Sequence, residues 1–72
     1  MNIKDYIESI PDFPKKGIMF RDITPILESP EAMHYVTKEI AKFAETTKAN
    51  LIIAPEARGF FFGIPAAMEA NI

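Results

Sequence analysis

Apolar and polar positions along the chain fall into two periods, and the switches between them mark element boundaries. Ile3, Tyr6, Ile7 and Ile10 stand at i, i+3, i+4 and i+7, the stripe of an amphipathic helix. Asn2 is placed to cap that helix. Pro11 ends it, because the residue before a proline is driven toward extended backbone. From Pro11 to Gly17 the chain reads Pro-Asp-Phe-Pro-Lys-Lys-Gly, which predicts a loop. Gly17 to Phe20 reads as a short extended piece. Thr24 and Pro25 then predict an N-cap and a first helical residue, with one turn through Ile26 and Leu27.

Ser29-Pro30-Glu31 is a cleaner helix start, with a cap, a proline and an acid in the first turn. Met33, Val36, Ile40 and Phe43 repeat on one face, so this helix should run to Thr47 or Lys48. Leu51 to Ala54 is apolar throughout. That suits a strand covered on both faces in a parallel sheet. A buried helical turn is the alternative, and the two isoleucines favour the strand. Gly59 to Ala70 predicts a largely buried helix, with Pro65 either kinking it or leaving the Phe61 carbonyl unpaired. Asn71 suits the left-handed residue that ends helices, and Ile72 reads as the start of another strand. The order is helix, loop, helix, strand, helix. A lone strand leaves both edges unpaired, which soluble proteins rarely tolerate. These residues are therefore expected to be the first part of a larger α/β domain, incomplete as they stand.

Composition narrows the partners. The 72 residues are 49% hydrophobic and 25% charged, an ordinary globular balance. The net charge of −2 gives no basic footprint for nucleic acid. Absence of cysteine excludes disulfides and thiolate metal sites. Met1-Asn2-Ile3-Lys4-Asp5 lacks the regions of a signal peptide, and no apolar run approaches the roughly 18 residues of a membrane span. A soluble, cytoplasmic chain is expected. A chain of this length buries only about 60% of its unfolded surface, so its stability should be marginal.

Candidate chemistry concentrates in Leu51-Ile52-Ile53-Ala54-Pro55-Glu56-Ala57-Arg58-Gly59-Phe60. An apolar run stops at a proline, passes a carboxylate, a guanidinium and a glycine, and enters a new apolar segment. In an open α/β sheet this is a strand end, a tight turn and a helix N-terminus, the place where ligands bind. Helix-start N–H groups with Arg58 beside them make a candidate anion site, suited to a phosphorylated small molecule.

Three motifs in order, Ile10-Pro11-Asp12-Phe13-Pro14, Gly17-Ile18-Met19-Phe20-Arg21-Asp22-Ile23-Thr24-Pro25 and Pro55-Glu56-Ala57-Arg58-Gly59-Phe60, closely resemble the start of adenine phosphoribosyltransferases. The resemblance runs from near the N-terminus to Ile72. It implies residues 1–28 as a hood segment over the base and residues 29–72 as the first α-β-α part of a parallel-sheet phosphoribosyltransferase core. It also implies transfer of phosphoribosyl from phosphoribosyl pyrophosphate to adenine, giving AMP and pyrophosphate, with Mg2+ bound alongside phosphoribosyl pyrophosphate, usually in a homodimer. Carried over by position, Phe20 would stack on adenine, while the backbone of Met19 and Arg21 would read its Watson–Crick edge. The Glu56-Ala57-Arg58 turn would be the pyrophosphate loop, with an often cis Glu56–Ala57 peptide aiming N–H groups at the pyrophosphate and Arg58 neutralising it. Ala54 stands where the family commonly has glycine. The adjacent acids and the threonine-containing loop that grip the ribose 5-phosphate are absent, as is the flexible closing loop. The 72 residues alone are accordingly expected to be inactive.

Plainer readings stand beside these. Phe20 could plug a small core, Arg21 and Asp22 could form a surface ion pair, and Glu56 could pair with Arg58 across the turn. The full Gly17 to Pro25 motif favours the functional reading of the loop, with the Arg21 side chain structural. Phe60, Phe61 and Phe62 read as helix packing, His34 as solvated, and Lys15-Lys16 as solvated loop. No catalytic acid or base and no metal ligand can be assigned. A non-catalytic purine-binding regulator on the same fold, or a truncated product without function, remain alternative readings.

Overall fold

Asn2 opens the first turn by accepting the Lys4 backbone N–H at its side-chain oxygen, 3.1 Å away. In the computed structural model, which describes residues 1–72, this turn is a 3-10 helix over Ile3–Tyr6. Bonds from Asp5 N–H to the Asn2 carbonyl and from Ile7 N–H to the Lys4 carbonyl close it. The helix predicted through Ile10 stops there. Glu8–Ile10 is instead a strand, β1, paired antiparallel with β2 (Phe20–Asp22) in the register Glu8 with Asp22, Ser9 with Arg21 and Ile10 with Phe20. One helical turn is a costly nucleus with little to bury, whereas a ladder to residues 20–22 satisfies the same backbone. Pro11 ends the element as expected, but the element is a strand.

Residues 11–19 connect the two strands. Asp12 has φ 55° and Gly17 φ 88°, and the Asp12 carboxylate accepts the Gly17 N–H at 2.8 Å. A bond from Phe13 N–H to the Ile18 carbonyl at 3.0 Å closes the loop, and the Phe13–Pro14 peptide is cis. Helix α1 (Thr24–Glu28) follows, with Thr24 already helical and Pro25 in the first turn. Thr24 was expected to cap this helix. Asp22 takes over that end by accepting both the backbone N–H and the hydroxyl of Thr24, at 3.0 and 2.6 Å.

Helix α2 (Pro30–Thr46) begins as the sequence predicts, with the Ser29 hydroxyl accepting the Ala32 N–H at 3.1 Å. It closes through two reaching bonds, Lys48 N–H to Glu45 and Ala49 N–H to Ala44, with Lys48 left-handed at φ 57°. This is a Schellman closure. Helix α3 (Arg58–Ala70) closes the same way, with Asn71 at φ 59° and Ile72 N–H reaching Ala67 at 3.0 Å. Ile72 is therefore tied to the helix end. Pro65 lies inside α3, which continues past it.

The chain divides into two units, Met1–Met33 and His34–Ile72. The first buries Ile26 and Ala32; the second buries Ala41, Ala44 and Ala66. Of these five residues only Ile26 is large, so the fully buried set is mostly alanine. Two expectations fail on this point. Phe43, predicted on the apolar face of its helix, is 69% exposed. Helix α3 is not largely buried either, since Phe60, Phe61, Ile64 and Met68 are all exposed. Leu51 to Ala54 pairs with no strand and forms no ladder. Period and composition identify a segment that could be covered, but a neighbour must do the covering. No helix is long and apolar enough to cross a membrane.

Lys48 gives a test of the closure. A β-carbon in the left-handed region costs about 1–2 kcal/mol, partly offset by the greater unfolded-state freedom of glycine. Lys48→Gly should therefore stabilise the chain by about 0.5–1 kcal/mol net, whereas Asn71→Ala should destabilise it. Thermal melts followed at the helical circular-dichroism band check both signs.

Candidate functional site

The chemistry-bearing residues lie in two places, each built within its own unit. In the first unit, Met19 precedes the ladder, and Phe20 and Arg21 begin β2. Successive strand residues point to opposite faces. Phe20 shares a face with Ile10, its partner across the ladder, and Arg21 shares the other with Ser9. The Phe20 ring is half-buried and meets the Phe13 ring edge to face, with centroids 5.1 Å apart and planes at 63°. One such edge contact covers at most one face of a ring. Met19 is half exposed.

On the opposite face the Arg21 guanidinium donates to the Ser9 hydroxyl. Around that pair Lys4, Ile7 and Ile23 complete a concavity of about 440 Å³. Sequence reasoning missed both Phe13 as the neighbour of Phe20 and Ser9 as the partner of Arg21. Ser9 and Arg21 are 12 residues apart, and with β1 read as helix the hairpin that brings both pairs together was not expected.

In the second unit, the Glu56–Ala57 peptide is cis and leads directly into α3. Arg58 is the first residue of α3 and is exposed. No side chain caps this helix, and its first turn has no acid. An Arg at a helix N-terminus opposes the helix dipole, at a cost of roughly 0.3–1 kcal/mol. Glu56 and Arg58 form no ion pair that would offset this. The open N–H groups and the guanidinium together can receive an anion.

Two glycines set where this turn sits. Gly59 and Gly63 are one helical turn apart, and Ile52, Ala54 and Pro55 come against that bare side of α3. A methyl group at Gly59 would lie 2.8 Å from Pro55 Cδ and 3.2 Å from Ala54 Cβ. One at Gly63 would lie 3.0 Å from Ala54 Cβ and 3.6 Å from Ile52 Cγ2. Only hydrogen fits there without movement. No three His, Cys, Asp or Glu side chains gather anywhere in the chain. Its residues therefore do not fit a protein-built cage for a divalent cation.

Over 97% of its length the chain has the fold of the N-terminal segment of an α/β phosphoribosyltransferase. The relatives make the assignment specific. The chain is 50% identical over 72 residues to an adenine phosphoribosyltransferase of Methanococcus maripaludis, matching all of this chain and 42% of that one. The crystal structure of adenine phosphoribosyltransferase from Thermoanaerobacter pseudethanolicus is 53% identical, with a TM-score of 0.88 over 97% of this chain and 42% of that one. The Saccharomyces cerevisiae enzyme, solved with D-2,5-dideoxy-2,5-imino-altritol 1,6-bisphosphate and adenine, is 27% identical, with a TM-score of 0.83 over 97% of this chain and 44% of that one. No family model matches the chain. The chain is similar to the N-terminal part of these adenine phosphoribosyltransferases and spans about 42% of their length.

The glycine contacts predict an order of effects. Gly59→Ala puts a methyl group against a rigid proline ring and should cost about 1–3 kcal/mol. Gly63→Ala should cost less, because the helix-propensity gain of about 1 kcal/mol opposes a milder clash. Ala54→Gly should remove the Gly63→Ala penalty almost entirely. A double-mutant cycle read by thermal melting checks that coupling.

Proposed function

We propose that this chain carries the adenine-recognition loop and the pyrophosphate turn of an adenine phosphoribosyltransferase. The observation that carries the reading is 50% identity across all 72 residues to a protein of that name. In the reaction proposed, a ring nitrogen of adenine attacks the anomeric carbon of phosphoribosyl pyrophosphate. The carbon–oxygen bond to pyrophosphate breaks, and the nitrogen loses its proton. The products are AMP and pyrophosphate, a step of purine salvage.

Phe20 would supply a stacking face for the base, worth about 1–3 kcal/mol in comparable nucleobase contacts. Its edge contact with Phe13 holds the ring in place. Backbone groups of Met19 and Arg21 would read the base edge, since a wrong base leaves buried polar groups unpaired. Met19 lies outside the ladder, which keeps its backbone available. The Glu56-Ala57-Arg58 turn would hold the pyrophosphate, and Arg58 would stabilise the charge that builds as it leaves. Mg2+ bound to phosphoribosyl pyrophosphate would supply charge neutralisation at its phosphates, with no residue of this chain proposed as its ligand. The ribose-phosphate grip and the closing loop would come from the remaining share of the enzyme, in a cytoplasmic homodimer, so the 72 residues alone should show no turnover.

The test joins these residues to the part of the Thermoanaerobacter pseudethanolicus enzyme beyond the matched region. In that chimaera Phe20→Ala should raise KM for adenine tenfold or more and leave KM for phosphoribosyl pyrophosphate nearly unchanged. Arg58→Ala should do the reverse and also lower kcat. Equal losses for both substrates in either variant would overturn the assignment. Adenine binding without turnover in the unsubstituted chimaera would point to a regulator instead.

A further inference from the structure

The hairpin of the first unit sorts its side chains by face. Its register puts Glu8 with Asp22 and Ile10 with Phe20 on one side, and Ser9 with Arg21 on the other. Both carboxylates therefore share the side of the Phe20 ring, and the guanidinium stands on the opposite side. There Arg21 and Ser9 line the concavity of about 440 Å³ together with Lys4, Ile7 and Ile23. The lining holds two cations, a hydroxyl, two isoleucines and no carboxylate. Ile7 and Ile23 are half-buried, while Lys4, Ser9 and Arg21 are exposed. A volume of this size is that of a small-molecule site, typically about 300–1,000 Å³.

We propose that this concavity binds a phosphate monoester with an apolar body, on the side of the hairpin opposite to the Phe20 ring. The charges select the head group. A phosphate monoester carries about −1.5 to −2 at neutral pH and matches two cations, whereas a carboxylate or a sulfate ester would leave one of them uncompensated. Arg21 supplies the geometry. A guanidinium presents five N–H donors in a planar fork suited to phosphate oxygens, and the Ser9 hydroxyl takes one of them. That bond also steadies the fork before any ligand arrives, so less side-chain freedom is lost on binding. Lys4 adds a compact charge from a different element, the 3-10 helix. Ile7 and Ile23 select the remainder of the ligand. A bare phosphate ion would leave them facing water, and an apolar group against them would remove that surface. All five residues lie within Met1–Met33, so the site is built inside one unit.

The experiment takes the chimaera with the Thermoanaerobacter pseudethanolicus enzyme, labels its isoleucine methyl groups with carbon-13 and titrates it with phenyl phosphate. The methyl signals of Ile7 and Ile23 should shift along one saturable curve, with a Kd below about 1 mM. Phenyl sulfate has one charge fewer and inorganic phosphate has no apolar body, so each should bind at least tenfold more weakly. Lys4→Ala should weaken phenyl phosphate binding at least tenfold, and Lys4→Arg should restore most of it. Lys4 is exposed and outside the base and pyrophosphate residues. Lys4→Ala should therefore keep the circular-dichroism spectrum and the unliganded methyl spectrum of the parent.

Unmoved Ile7 and Ile23 signals overturn the proposal, as they would if the rest of the enzyme covered the concavity. A response confined to Ile52 and Ile53 places the ligand at the pyrophosphate turn and also overturns it. Equal affinity for inorganic phosphate, or binding that Lys4→Ala leaves intact, reduces the effect to adventitious anion binding only. Binding by a chimaera that transfers no phosphoribosyl group supports the site and counts against the enzymatic reading alone. Turnover by a chimaera that shows no such binding does the opposite.

Discussion

The second unit depends on the bare side of α3. Gly59 and Gly63 let Ala54 and Pro55 approach the helix to distances at which a methyl group would collide. Pro55 runs straight into Glu56, Ala57 and Arg58, so the depth at which the segment seats also fixes the turn against the first turn of α3. Packing and chemistry are thus joined by two missing side chains. The same contact shows how Ala54 is accommodated. Its methyl group faces Gly63, and the glycine yields the space. Arg58 adds a second sign of purpose at this place. A cation at an uncapped helix start is unfavourable for folding alone, and an anion bound there would reconcile it.

In the first unit one short ladder divides two roles between its faces. Ile10 with Phe20 and Ser9 with Arg21 are successive pairs of a single register. A slip of one residue would exchange them and turn the aromatic ring away from Phe13. Arg21 bonded to Ser9 ties the register from one side, and the Phe13–Phe20 contact ties it from the other. The long connection between the strands brings Phe13 back beside Phe20. Asp12 and Gly17, both in the left-handed region, allow it to turn.

Much of this was legible in the sequence because the signals were local. Ser29 before Pro30, Asn71 at a helix end and the Pro55-to-Phe60 turn act through neighbours a few residues away. The structure places each where its chemistry predicts. The errors are non-local or degenerate. Ile3, Tyr6, Ile7 and Ile10 match a helical stripe, but the same residues serve a 3-10 turn followed by a strand. Only residues 20–22, distant in sequence, decide between the two. Lys48 in a left-handed closure has no sequence signal, since the usual one is glycine. Asp22 displaced Thr24 as the capping group because a carboxylate two residues earlier can accept two donors at once.

Leu51 to Ala54 shows where composition and environment part. An unbroken apolar run was read as a strand covered on both faces, and α3 covers one of them. Fully burying a Leu or Ile side chain contributes about 1.5–3 kcal/mol, so covering Leu51 and Ile53 would add several. That is a large fraction of the 5–15 kcal/mol that usually separates folded from unfolded domains. A partner that binds only the folded chain would contribute its binding free energy to folding by mass action. The Glu56-Ala57-Arg58 turn begins one residue beyond this segment, and the glycine face that seats the segment also seats the turn.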